Sequence, residues 1–152
     1  MKKLLIICIV LSVSTYGLYS QNKTIKGRVI SNQYDILIGV SIRINEKVEV
    51  GKTDLKGYFQ IEIPVSEKKI LFMDVGFDPA TIELGDKCDE VEVVMILSGT
   101  YDFITLKKVD RLRMKEFKKL PELHKEAFEK GIFETEYACY IRNFESYFQR
   151  KK

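Results

Sequence analysis

Between residues 22 and 97 the apolar side chains return at every second position, and this period is the strongest constraint on the fold. Ile25, Gly27 and Val29 alternate with Lys26 and Arg28. Val40, Ile42 and Ile44 alternate with Ser41 and Arg43, and Phe59, Ile61 and Ile63 with Tyr58, Gln60 and Glu62. An extended chain points successive side chains to opposite faces, so each segment reads as a strand with one face in a core and the other in water. Val48 to Thr53, Lys69 to Val75 and Val91 to Leu97 are further strands; the last two are nearly continuous apolar runs, the pattern of central strands covered on both faces. Thr81 to Leu84 adds a short edge strand. Turn signals separate these segments: Ser31-Asn32, Asn45-Glu46, Asp54 to Gly57, Pro64, Asp78-Pro79 and Gly85-Asp86. Seven short strands with no helical pattern among them predict a mainly β fold, a seven-stranded antiparallel β-sandwich.

After Gly99-Thr100 the period lengthens, and residues 98–152 read as an α-helical extension. Val109, Leu112, Phe117 and Leu120 fall near one helical face, with Lys107, Lys108, Arg111, Lys115, Lys118 and Lys119 around the remainder. Pro121 interrupts this helix, because its ring and missing N–H break the hydrogen-bond ladder. A second helix is expected from Pro121 to Lys130, with Gly131 as its stop. Residues 133–148 fit a helix through Phe133, Tyr137, Ile141, Phe144 and Phe148, and a strand through Tyr137, Cys139 and Ile141. The helix is the favoured reading. Charge divides at the same boundary: residues 22–97 carry 10 basic and 13 acidic side chains, residues 98–152 carry 13 basic and 9 acidic.

Residues 1–20 have the order of a secretory signal peptide: Lys2 and Lys3, an apolar core from Leu4 to Val13, then the small and polar run Ser14 to Gly17. The core is shorter than the ~20 residues a spanning helix needs. Cleavage fits best between Ser20 and Gln21, with Gly17-Leu18 the alternative, and Cys8 lies inside the discarded leader. Removing two lysines lowers the net charge from +3 to about +1, which leaves no global attraction to nucleic acid. Two cysteines remain. In an oxidising compartment Cys88 and Cys139 are a candidate disulfide joining the two halves; the alternative is two free, partly buried thiols.

Three phrases stand together on the strand pattern: Thr24 to Ile30; Ile38 to Ile44 followed by Gly51-Lys52-Thr53-Asp54-Leu55-Lys56-Gly57-Tyr58-Phe59; and Ile70 to Phe77 leading into Ile82-Glu83-Leu84. Over residues 22–97 the chain resembles the carboxypeptidase regulatory-like domain. That family occurs in exported proteins of Bacteroidetes-type bacteria, often at the N-terminus of TonB-dependent outer-membrane receptors. The resemblance implies a prealbumin-like (transthyretin-like) sandwich of Greek-key type, in a periplasmic or outer-membrane-associated protein. The family's Pro-Leu-Pro-Gly type phrase is replaced here by Asp35-Ile36-Leu37-Ile38-Gly39, and the 55 residues after Leu97 are too few for a receptor plug or barrel.

The motif residues have structural roles that require no chemistry. Asp54 is expected to hydrogen-bond the backbone of its own turn, Gly57 to supply a positive φ, and Gly76 to mark a bulge or tight bend. Asp54, Asp74, Asp78 and Asp86 are too scattered for a calcium loop. A metallocarboxypeptidase zinc site needs two His, and the chain has one, His124, read as a surface or boundary residue. No nucleophile elbow or phosphate-cradling glycine loop is present. The expectation is therefore a non-catalytic structural or interaction module of the cell envelope, without cofactor or metal, accessory to an outer-membrane uptake or assembly system. A module binding a glycan or an envelope protein is the alternative, with Tyr137 and Tyr140 among its candidate contacts. Residues 107–119 hold seven Lys or Arg against Asp110 and Glu116. The stripe Lys107, Arg111, Lys115 and Lys118 is accordingly the candidate contact for anionic lipid or envelope polymers.

Overall fold

A computed structural model describes residues 21–150; the leader expected over residues 1–20 lies outside the described residues. The described chain is mainly β and forms two sheets. Its strands are β1 (Asn22–Ser31), β2 (Ser41–Ile44), β3 (Val48–Lys52), β4 (Tyr58–Pro64), β5 (Lys69–Met73), β6 (Ala80–Leu84) and β7 (Glu90–Met95), followed by α1 (Leu106–Phe117), α2 (Leu120–Glu129), β8 (Tyr140–Arg142) and the short α3 (Tyr147–Arg150). One sheet has the order β4-β1-β7 and the other β3-β2-β5-β6-β8. All seven expected strands form, and an eighth comes from the C-terminal part.

The inward residues of the alternating segments make the core between the sheets. Ile25 and Val29 of β1, Ile42 of β2, Ile61 and Ile63 of β4, Ile70 and Phe72 of β5, Ile82 of β6, and Val91, Val93 and Met95 of β7 are all buried. Phe59 meets Phe72 edge-to-face with centroids 5.5 Å apart. Each such side chain contributes roughly 1.5–3 kcal/mol of burial relative to exposure. Gly27 permits the closest approach: it stands opposite Val91, and a Cβ there would lie 1.7 Å from the Val91 carbonyl oxygen.

Five expectations are corrected. The sandwich is not wholly antiparallel, because β1 and β7 run parallel. β7 is covered on both faces, as its apolar run suggested, yet it is an edge strand: Val91, Val93 and Met95 enter the main core, while Val94 joins Ile30, Ala127 and Phe133 in a second cluster beneath α2. β5 is central in its sheet but has only one face in the core. The favoured helix over 133–148 does not form. Residues 140–142 pair instead with β6, in the register Ile82↔Arg142, Glu83↔Ile141 and Leu84↔Tyr140, so β6 is not an edge strand. Backbone pairing along an otherwise open edge outweighs the helical side-chain pattern. The strand alternative through Tyr137, Cys139 and Ile141 is nearer the outcome, with Tyr140 and Arg142 half-buried and Ile141 exposed.

The helices follow local signals more closely. Thr105 caps α1, its Oγ1 accepting from the Lys108 N–H at 3.4 Å. Pro121 sits in the first turn of α2, where its missing N–H costs no helical hydrogen bond. Gly131, at φ +70°, ends α2: its N–H donates to the Phe128 carbonyl and that of Ile132 to the Ala127 carbonyl, a Schellman closure. The buried residues of α1 are Val109 and Arg113, whereas Leu112, expected inward, is exposed.

Candidate functional site

The C-terminal segment is fastened to the sandwich at three places, and the candidate site lies between them. At the first, Cys88, just before β7, forms a disulfide with Cys139, just before β8, with Cα atoms 5.4 Å apart. The bridge therefore links the two sheets and the two halves of the chain. At the second, the carboxylate of Glu92 accepts from the Glu134 N–H at 2.6 Å, the Thr135 N–H at 3.0 Å and the Thr135 hydroxyl at 2.6 Å, which fixes the loop after α2 against β7.

The third is a buried polar hub. Arg113 Nε donates to Asp78 Oδ2 at 2.7 Å, and its Nη1 donates to Asp110 Oδ1 at 3.2 Å and to the Glu145 carbonyl at 2.8 Å. The guanidinium lies 3.6 Å from the centroid of Tyr147, whose hydroxyl donates to Asp78 Oδ1. Asp110 also accepts from the Ser146 hydroxyl and from the Tyr147 and Phe148 N–H groups. Burial works against the Asp110 charge, but these hydrogen bonds, from Ser146 foremost, hold its carboxyl below the ordinary range.

Between α1, α2, β7 and β8 these ties leave a cavity of about 410 Å³, lined by Val94, Phe117, Lys118, Leu120, Pro121, His124, Glu136, Tyr137, Ala138, Tyr140 and Arg142. Its wall is largely apolar. His124, read from the sequence as a surface or boundary residue, is only 4% exposed: its ring packs 4.9 Å from Phe133, and Nε2 lies 3.1 Å from the Thr135 carbonyl oxygen. Burial pushes its pKa below the usual 6.5, against the opposing charge of Glu92. Tyr140 is half-buried and donates its hydroxyl to the Glu92 carbonyl at 2.8 Å, so it is a wall of the cavity rather than an exposed contact. Tyr137 is exposed at the rim. Arg142 donates Nη1 to the Val94 carbonyl at 2.8 Å, with the guanidinium 5.8 Å from the Phe117 ring.

The other sequence-predicted residues fall elsewhere. Asp54 Oδ1 accepts from the Lys56 and Tyr58 N–H groups at 2.8 and 2.9 Å, closing the β3–β4 turn. Gly57 in the same turn has φ +77°, and a Cβ there would lie 2.8 Å from the Val29 carbonyl oxygen. Gly76 has φ +86° in the turn after β5, and its carbonyl accepts from the Ser98 N–H. Lys107, Arg111, Lys115 and Lys118 are all exposed along α1; only Lys118 reaches the cavity.

Sequence reasoning passed over Arg142, Glu92, Asp78 and Arg113. Asp78 before Pro79 read as a turn signal, and a lone Arg within a three-residue strand gives no periodic sign of burial. Among the described residues no three His, Cys, Asp or Glu side chains gather as a metal site. No helix there is long and apolar enough to cross a membrane. No protein-family model matches this sequence, and no curated protein matches it.

Proposed function

We propose that the chain is an exported, non-catalytic interaction module of the bacterial cell envelope, accessory to an outer-membrane uptake or assembly system, and that it binds its ligand at the joint between sandwich and extension. The cavity at that joint carries the reading. Its volume lies within the range of small-molecule sites, with apolar walls and a few polar groups. Both sulfurs of Cys88 and Cys139 are held in the disulfide and the His124 Nε2 faces a backbone carbonyl, so neither offers a nucleophile–base pair. The disulfide also supports export, since such bonds persist in oxidising compartments, and it agrees with the leader pattern of residues 1–20. The finer fold proposed is the prealbumin-like, Greek-key sandwich of the carboxypeptidase regulatory-like family. The turn geometry of Asp54 and Gly57, within the phrase that carries the resemblance, supports it.

Fractionation of cells expressing the full chain tests this. The expected product is a processed chain beginning near Gln21, in the periplasmic or outer-membrane fraction, with thiols blocked to alkylation. An unprocessed cytoplasmic chain with reactive thiols overturns it.

A second reading rests on the basic stripe. Lys107, Arg111, Lys115 and Lys118 lie on one exposed face, a geometry suited to anionic head groups or envelope polymers. Co-sedimentation with anionic liposomes that disappears on adding salt supports it; no binding at low salt removes it.

A further inference from the structure

We propose that the cavity between α1, α2, β7 and β8 binds a small amphipathic carboxylate, an apolar body whose single carboxylate pairs with the guanidinium of Arg142. This deepens the reading of the joint as the binding surface and rests on it.

One guanidinium in the otherwise largely apolar wall has no carboxylate of the described residues within ion-pair distance. Most polar groups around the cavity are engaged: the Tyr140 hydroxyl with the Glu92 carbonyl, His124 Nε2 with the Thr135 carbonyl, and the Glu136 carboxylate with Lys125 Nζ at 3.6 Å. Arg142 differs. Among the described residues its one hydrogen bond goes to the Val94 carbonyl, and no carboxylate forms an ion pair with it; Asp78 and Glu145 act on it only through space. No fully buried side-chain nitrogen or oxygen there lacks a partner, so the guanidinium N–H groups beyond that bond keep contact with solvent, and the side chain lines the cavity.

A guanidinium presents its donors as a planar fork that fits a carboxylate with two parallel hydrogen bonds. Lys118 at the rim adds positive charge of the same sign. Val94, Phe117, Leu120 and Pro121 meanwhile offer an apolar body no hydrogen bonds. A sugar, with hydroxyls on every side, would leave most of them unpaired against this wall. One anionic head on an apolar tail or ring satisfies both halves of the site.

Isothermal titration of the oxidised mature chain provides the test. The probes are decanoate, 1-decanol, and the tripeptide acetyl-Ala-Ala-Leu as its free acid and as its amide. Decanoate is expected to bind one to one, about tenfold or more tighter than decanol, the worth of one charge-assisted contact. Arg142→Gln should erase that preference. Ala138→Trp, at an exposed rim position, should obstruct the cavity and abolish binding even if Arg142→Gln fails to fold. Binding of the peptide acid but not its amide identifies a chain end as the source of the carboxylate, and binding of decanoate without the peptide identifies a free acid; either result supports the site. Equal affinity for decanol and decanoate, no binding of any carboxylate, or binding unchanged in Ala138→Trp overturns it. A processed envelope protein that ignores every carboxylate would defeat this inference alone, whereas an unprocessed cytoplasmic chain would defeat the functional reading beneath it.

Discussion

Asp78 and Arg113, 35 residues apart in the chain, meet at 2.7 Å in the interior, with Arg113 only 5% exposed. One comes from the loop between β5 and β6 and the other from the middle of α1, so this contact docks the extension on the sandwich. A helix otherwise rich in solvated lysines buries one arginine because the carboxylates of Asp78 and Asp110 and the faces of Tyr147 and Phe144 surround it.

Breaking that pair from one side should be costly. Arg113→Met leaves the Asp78 carboxylate without its main partner, and Asp78→Asn weakens the hold on Arg113. Truncating one partner of a buried pair typically costs about 3–5 kcal/mol. Arg113→Met is expected to lower the urea midpoint accordingly, and the double variant Asp78→Asn/Arg113→Met should lose much less than the sum of the two. Additive losses in equilibrium unfolding would show that the two side chains act independently.

The disulfide should contribute by limiting the unfolded chain. Cys88 and Cys139 are 51 residues apart, and in the chain-entropy description a loop of that size is worth about 4 kcal/mol. Cys88→Ser/Cys139→Ser is expected to unfold at lower urea concentration and to match the reduced parent protein. Identical midpoints with and without reductant would contradict this.

The two halves of the chain were unequally legible in the sequence. Period-two alternation identified β1, β2 and β4 because their outward residues, such as Lys26, Arg43 and Glu62, are polar. β7 was recognised as covered on both faces, but its place at an edge beside a parallel partner depends on where β1 ends, which no local pattern encodes. β8 was only the alternative to a helix because so short a segment fits both periods, and its strand state comes from pairing with Ile82 to Leu84. Asp54 and Gly57 were readable because their turn is local. Arg142 and the cavity were not, since they are built from segments that meet only after both sheets and both helices have formed.

Acid should loosen the C-terminal clasp. The folded pKa of Asp110 lies below its ordinary value of 3.8, so the stability it confers is fully present above 3.8 and is lost as pH falls through the lower folded value. Asp110→Asn removes this contribution, and the stability gap between parent and variant should narrow as pH drops below 3.8. A gap that stays constant down to acid unfolding would assign the variant's defect to packing rather than charge.

His124 gives a second pH dependence of the same direction in a higher range. Its folded pKa lies below the unfolded 6.5 because burial disfavours the imidazolium, even with Glu92 nearby. The unfolded chain therefore takes up a proton that the folded chain refuses, and stability should decline as pH falls below 6.5 until the folded pKa is reached. The ring also lines the cavity, so its titration reports on that site directly. Proton NMR of the lone histidine should show a midpoint below 6.5, and His124→Gln, which retains a donor toward the Thr135 carbonyl, should flatten the stability profile between that midpoint and pH 6.5. A midpoint at or above 6.5 would mean that burial does not outweigh the Glu92 charge at this ring.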